Sequence, residues 1–581
     1  MPILRSITAP DGTTSEWPEG TPLGEIVAAI TAPRSSRRAS RASASRASPS
    51  RASRASASPD GRAALGLPPP IAALLENNLV SLSDPLEFGG AIRPVYPRDP
   101  HGIRVMQRTA CFLLSMAVHR AAPKAHFRIH ADCGPGVFFT LDPAIPDLPR
   151  RFQDLVRADL PIQRTKAPYL AALAGFESHG LLDKARLLRH RSSPAVPLAK
   201  CDDFLDLWQG VLAPRTSACA EVRIAKCDGG WLLQLPLPDD PVGAGPVPRR
   251  RPDPALLAIA REHIRWAEII GVQTVGQLNE AVASDGGTAV LRMAEALHDQ
   301  RLSDIARDIA MRPTPVRLVL IAGPSSAGKT TTARRLVTHL RVYGMRPLLL
   351  STDDYFFGIA DTVHDESGAP DFEHIEAIDL AALNADLAEL LAGRAIRRRV
   401  FDFHAQAPTF PGGELALPPG GILVMEGLHC LNPRLTAQIP DADKFHIFLN
   451  DMTQPGLDEN NRVSTTDARL LRRLVRDHRT RGKDALGTLR MWPSVRRGEG
   501  RWIFPFQKRA DAVFNTALDY ELAVIKPLAE PILATVKPDV PEYADARRLL
   551  ALLANFHPMS SRLVPSDSIL RETLGGGLFE D

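Results

Sequence analysis

The chain has 581 residues, 44% of them apolar and 23% charged, a composition that excludes wholesale disorder and suggests three or four compact units at roughly 150 residues each. Its net charge of +4 comes from one stretch: residues 34–58 hold seven arginines and no acid, and without them 63 basic residues face 66 acidic ones, which excludes a broadly basic nucleic-acid binder. No apolar run approaches the roughly 18 residues that cross a bilayer, and Met1-Pro2-Ile3-Leu4 lacks a basic region ahead of an apolar stretch, so a soluble cytoplasmic protein without membrane contact is expected.

In chain order, Ile3, Leu4 and Ile7 alternate with polar residues, Pro10-Asp11-Gly12 turns, and residues 23–30 read as a helix. From Arg34 a near-repeat of Arg-Ala-Ser follows, which cannot bury enough apolar area to order itself and is expected to be a disordered insertion at about 34–66. A helix is expected over residues 105–120, leading into a β-rich stretch that ends near Pro238. The Pro, Gly and Arg of residues 239–252 read as a linker, and residues 255–311 as a helical connector. The six cysteines form no Cys-x-x-Cys pair, which leaves no zinc knuckle or redox dithiol and fits a reducing compartment. From Val316 onward, short apolar strands alternate with amphipathic helices, the pattern of a parallel α/β sheet.

The chemistry concentrates there. The apolar run ending in Leu320-Ile321-Ala322 leads into Gly323-Pro324-Ser325-Ser326-Ala327-Gly328-Lys329-Thr330, a complete phosphate-binding loop. Its glycines let backbone N–H groups turn toward phosphate, Lys329 brings a cation, and Thr330 offers a hydroxyl to Mg²⁺. Ala333, Leu336, Val337 and Leu340 follow at helical spacing and Gly344 can cap the helix. Gly323, Ser325, Ser326, Ala327, Gly328, Lys329, Thr330 and Thr331 are therefore the expected ATP contacts.

Two further apolar runs end in acids, at Asp353-Asp354 and at Glu426. Either could be a strand-end cap; beside a complete phosphate loop they suit a base for an attacking hydroxyl and a Mg²⁺ ligand. Successive side chains at a strand end diverge, so Asp353 and Asp354 cannot both face the acceptor. Residues 466–484 pattern as a helix with Arg469, Arg472, Arg473 and Arg476 on one face and Leu470, Leu471, Leu474 and Val475 on the other. Four guanidiniums on one side would suit a transferring phosphoryl group, where otherwise the stripe would be a solvated face.

These motifs, with Phe372-Glu373-His374-Ile375-Glu376-Ala377-Ile378-Asp379, Met425-Glu426-Gly427 and Arg481-Gly482, resemble the uridine kinase branch of the phosphoribulokinase/uridine kinase family over residues 317–533. The resemblance implies Asp353 as general base, Glu373 as ribose ligand in place of the usual Asp, Glu426 assisting Mg²⁺, and Arg469, Arg472, Arg473, Arg476 and Arg481 as a lid. Tyr355 falls in the same substrate motif. The base-reading run departs from the family's Tyr-Asp-Phe-x-x-His: here it is Phe401-Asp402-Phe403-His404-Ala405-Gln406. Phe401 can stack on a base, and either Gln406 or His404 could read its edge.

The front of the chain resembles a TGS domain (residues 1–97) and the second additional domain of threonyl-tRNA synthetases (98–245). The editing histidines and cysteine of that domain align with Phe112, Met116, Trp208 and Leu212, which cannot bind metal; His119 and Cys201 lie nearby. The expected architecture is α/β: small α+β domains, a connector at 246–312, and a P-loop kinase at 313–581 using ATP and Mg²⁺ on a nucleoside, uridine or cytidine first. A purine nucleoside or sugar phosphate acceptor is the alternative within the class. An RNA- or ribosome-binding nucleotide sensor, working through the front half, is the alternative outside it.

Overall fold

The computed structural model describes residues 3–31, 68–207, 209–237, 240–241, 243, 245–365, 368–402 and 405–579. The Arg-Ala-Ser insertion, Trp208 and His404 lie outside them. At the front, Leu4–Thr8 and Thr14–Pro18 form the expected antiparallel hairpin, and Gly90–Val95 pairs parallel to the first of these strands. Helix Leu23–Thr31 closes this sheet by burying Leu23, Ile26 and Val27 against Ile7, Leu75 and Ile92. The helix expected at 105–120 runs from Pro100 to Ala121, with proline in its first turn where the missing N–H costs nothing.

The stretch beyond it is not simply β-rich. Helices Leu148–Arg157, Tyr169–Ser178 and Leu182–Arg189 alternate with a four-stranded and a three-stranded sheet. The expected linker is partly anchored: Val247 is buried and its N–H donates to Glu221 O at 2.8 Å. The connector is helical as expected, in Pro254–Ile270, Val275–Asp285 and Thr288–Ala310.

The last unit is a five-stranded parallel sheet in the order Pro347–Ser351, Ile422–Glu426, Leu318–Ala322, Lys444–Asn450, Ala512–Asn515. Its strands are continuous apolar runs because both faces are covered. Leu318, Leu320, Leu423, Met425 and Phe448 pack on one side with Leu383 and Leu387. Val319, Ile321, Val424, Ile447 and Leu449 pack on the other with Leu336 and Leu340 of helix Lys329–Val342. Parallel pairing, with Ile321 and Ser351 both opposite Glu426, brings the ends of Leu318–Ala322, Pro347–Ser351 and Ile422–Glu426 to one edge. Among the described residues no helix is long and apolar enough to cross a membrane.

Candidate active site

The phosphate loop leaves strand Leu318–Ala322 and enters helix Lys329–Val342. A Cβ on Gly323 would lie 2.4 Å from Leu449 O, and Gly328 has φ +79°, so both positions require glycine. Lys329 Nζ donates to Pro324 O at 3.3 Å, a long bond that leaves the ammonium facing the cleft. Ser326 Oγ is buried with no hydrogen-bond partner among the described residues, as suits a group that would donate to a phosphate oxygen.

Beyond the loop, Thr330 Oγ1 and Ser351 Oγ both donate to Glu426 Oε1, at 3.2 and 2.9 Å. Burial pushes the Glu426 carboxyl up to about 7; the Asp353 charge adds to this and Lys329 opposes it. Burial also raises Asp353, against the pull of Lys329. Asp353 and Glu426 thus share a desolvated pocket with Lys329, and a bound Mg²⁺ ion would add its own positive charge beside the two carboxylates. Among the described residues no group of three or more His, Cys, Asp or Glu is placed to hold a metal. A Mg²⁺ ion would therefore rest on Thr330, Glu426, water and phosphate oxygens, the donor set that ion prefers.

The cavity at this edge has a volume of about 780 Å³. It brings together Ser325, Ser326, Gly328, Lys329, Thr330, Thr331, Asp353, Glu373, Phe401, Gln406, Glu426, Arg473, Arg476 and Arg481 of the residues expected from sequence. Phe401 is a wall rather than a free platform, packed edge-on against Phe356 and Phe372 with ring centroids 5.7 and 6.2 Å away. Glu373 is pushed up to about 7 by burial, and its Oε2 has no hydrogen-bond partner. Gly498 lets helix Ala485–Trp502 close on it, since a Cβ there would lie 2.5 Å from the Glu373 side chain.

Other expected residues are placed elsewhere. Tyr355 is buried in the core, where its hydroxyl donates to Asp386 at 2.8 Å. Asp353 and Asp354 lie on a 3₁₀ turn, Thr352–Tyr355, rather than on a strand end. They still diverge: Asp353 lines the cavity, whereas Asp354 Oδ1 accepts from Phe401 N–H at 3.3 Å. Gly323 and Ala327 shape the loop from beneath without lining the cavity.

The arginine stripe requires the largest correction. Helix Thr465–Thr480 is buried on both faces. Arg469 pairs with Glu499 through both terminal nitrogens, at 2.5 and 2.9 Å. Arg472 pairs with Glu521 and donates to Thr516 O at 2.7 Å. Neither lines the cavity; each is held by a buried carboxylate that sequence spacing could not reveal. Arg469 instead braces the loop by donating to Ser325 O at 3.0 Å, and Arg473 does so through Ser325 Oγ at 2.7 Å.

The C-terminal segment was missed. Arg571, Glu572, Gly577 and Phe579 line the cavity; Arg476 pairs with Glu572 at 2.5 Å, and Arg334 donates to Phe579 O. No motif in the sequence marks these residues.

Residues 318–523 match the model of the phosphoribulokinase/uridine kinase family. That segment is similar to this family. A uridine kinase of Halobacterium salinarum is 25% identical over 194 residues, 33% of this chain and 77% of that protein. The front of the chain is related to threonine–tRNA ligases, with 26% identity to the Syntrophotalea carbinolica protein over 241 residues, 39% of this chain. The match spans about a third of that ligase, 32% of its length. A possible uridine kinase of Bacillus stearothermophilus is 19% identical with a TM-score of 0.26, covering 37% of this chain and 97% of that one. In the front half, Phe112, Met116 and Leu212 belong to one apolar core with Cys201 and Phe204, and the His119 ring packs 5.5 Å from Phe204.

Proposed function

We propose that the C-terminal half transfers the γ-phosphoryl group of ATP to the 5′-hydroxyl of a nucleoside, uridine or cytidine first. The observation that carries this reading is Asp353 facing the same cavity as Lys329 and the Thr330–Glu426 pair. Asp353 accepts the proton of the attacking hydroxyl. Burial raises its affinity for that proton, and the neighbouring Lys329 charge opposes the rise. The hydroxyl oxygen attacks the γ-phosphorus, the bond to the bridging oxygen breaks, and ADP leaves. Lys329, Arg473, Arg476 and Arg481 offset the charge on the transferring group, and bound Mg²⁺ would neutralise the β- and γ-oxygens.

Glu373 suits a ribose hydroxyl, since its orphaned oxygen can accept from one. Gln406, which lines the same cavity with φ +51°, carries an amide able to donate and accept at a pyrimidine edge. Because an amide is less selective than an imidazole locked by a partner, a purine nucleoside is the second acceptor to test. ADP release measured with Mg²⁺–ATP against a panel of nucleosides and sugar phosphates tests the reading. Fastest turnover with uridine or cytidine supports it, and turnover only with a sugar phosphate contradicts it.

A further inference from the structure

A second cavity, sharing no lining residue with the first, lies where helix Pro100–Ala121 meets residues 457–467 and helix Tyr543–Leu553. Its volume is about 500 Å³, within the range of small-molecule sites. Seven arginines line it, against two aspartates, Asp84 and Asp467. Arg104, Gln107, Arg108 and Cys111 recur at i, i+3, i+4 and i+7, so one helix face supplies part of the wall. Its opposite face is core, with Val105, Met106 and Leu113 buried.

Most of these guanidiniums are spoken for. Arg104 and Arg548 share Asp545, each at 2.9 Å, Arg548 also holds Asp467, and Arg462 holds Asp132. Among the described residues Arg191 has only the amide oxygen of Asn555. Arg108 has less: among the described residues its guanidinium makes no hydrogen bond or ion pair. A Cβ on Gly210 would lie 3.0 Å from it, so the loop closes tightly over this cation. Burial, with the charges of Arg548 and Arg104 set against that of Asp467, lowers Arg108 to about 10. Gln209 and Arg462 line the same cavity, and among the described residues Gln209 Nε2 and Arg462 Nη1 are buried without hydrogen-bond partners. Unpaired buried donors are costly, and this group shares one unmet requirement, an anion with several acceptor oxygens. Leu79, Val80, Val211 and Leu457 line the same space and offer surface to an uncharged body.

We propose that this cavity binds a small molecule carrying two or more phosphate charges and an uncharged body, the chemistry of a nucleoside di- or triphosphate. Arginine is the side chain best shaped for such phosphates. Arg104 and Arg108 come from the front half, while Arg462 lies in the kinase-family segment. A bound polyanion therefore ties the two halves together.

The test is calorimetric titration of the full chain with ATP and, separately, inorganic pyrophosphate, without Mg²⁺ so that no turnover occurs. The wild-type chain is expected to bind two equivalents of ATP. Arg108→Gln with Arg462→Gln should bind one, its second-site affinity falling by at least about tenfold for the charge-assisted bonds lost. Lys329→Ala should keep the second site. One equivalent in the wild type, or two in the double variant, overturns the proposal. Should the double variant fold poorly, Arg547→Glu on the exposed rim is expected to weaken second-site pyrophosphate binding several-fold at low salt; unchanged binding overturns it. Retention of single-stranded RNA with no binding of either probe overturns it as well.

Discussion

Replacing Glu499 with Gln separates structural from catalytic arginines. Glu499 is fully buried, and Arg469 is 2% exposed. Four donors converge on the carboxylate: Ser325 N and Arg469 Nη1 on Oε1, at 3.2 and 2.5 Å, and Arg469 Nη2 and Arg496 Nη1 on Oε2, at 2.9 and 2.7 Å. Whichever way a glutamine amide turned, its NH₂ would face two donors, and Arg469 would be left buried beside a neutral group. Breaking a buried pair from one side costs about 3–5 kcal/mol. The Arg496 side chain is 38% exposed and can turn to water, so the lower end, about 3 kcal/mol, is expected. Urea unfolding followed by tryptophan fluorescence reads the loss, since the Arg469 guanidinium lies 5.6 Å from the Trp492 ring. ATP affinity should also fall, because Ser325 loses both a backbone acceptor and a settled Arg469, whereas kcat of the folded enzyme should change little. A stability loss below about 1 kcal/mol with kcat down by 10²-fold or more, the scale of a lost catalytic group, would show Arg469 to be catalytic and the reasoning wrong.

Lys329→Ala should abolish phosphoryl transfer while circular dichroism and unfolding stay near wild type, and retained turnover would remove the phosphate loop from the chemistry. Glu373 and Glu426 titrate at about 7, burial being the main cause. The folded chain therefore holds protons that the unfolded chain has released, and stability present at low pH is lost as pH rises from the usual glutamate range to about 7. Melting temperature should fall between pH 5 and pH 8, less steeply in Glu373→Gln; an equal slope in that variant would discount Glu373. Asp354→Asn should be milder than Asp353→Asn in kcat, because its carboxylate is occupied at the Phe401 backbone.

The phosphate loop and both acid positions were legible because each is a local pattern: an apolar strand, a turn and a polar residue within a few positions. The arginine helix was legible as a helix but not in its role, since Glu499 and Glu521 lie 30 and 49 residues from the arginines they hold. Periodicity shows which side chains share a face, not what packs against that face. The same limit hid the C-terminal wall, where Arg334 meets Phe579 across 245 residues. Tyr355 sits beside two informative acids, yet the 3₁₀ turn sends its ring into the core. In the front half, the sequence showed residues 112, 116 and 212 only as apolar positions unable to hold a metal; their shared core with Cys201 and Phe204 needs only bulk and hydrophobicity.

The most direct measurement follows labelled γ-phosphoryl from ATP to uridine at saturating ATP, with the wild-type chain and Asp353→Asn side by side. Label on the 5′-oxygen is expected, with kcat lower in the variant by about 10²–10⁴ and ATP affinity nearly unchanged, as befits a positioned base. Label released only to water, or equal rates in the two proteins, would contradict Asp353 as the group that takes the acceptor's proton beside the phosphate loop.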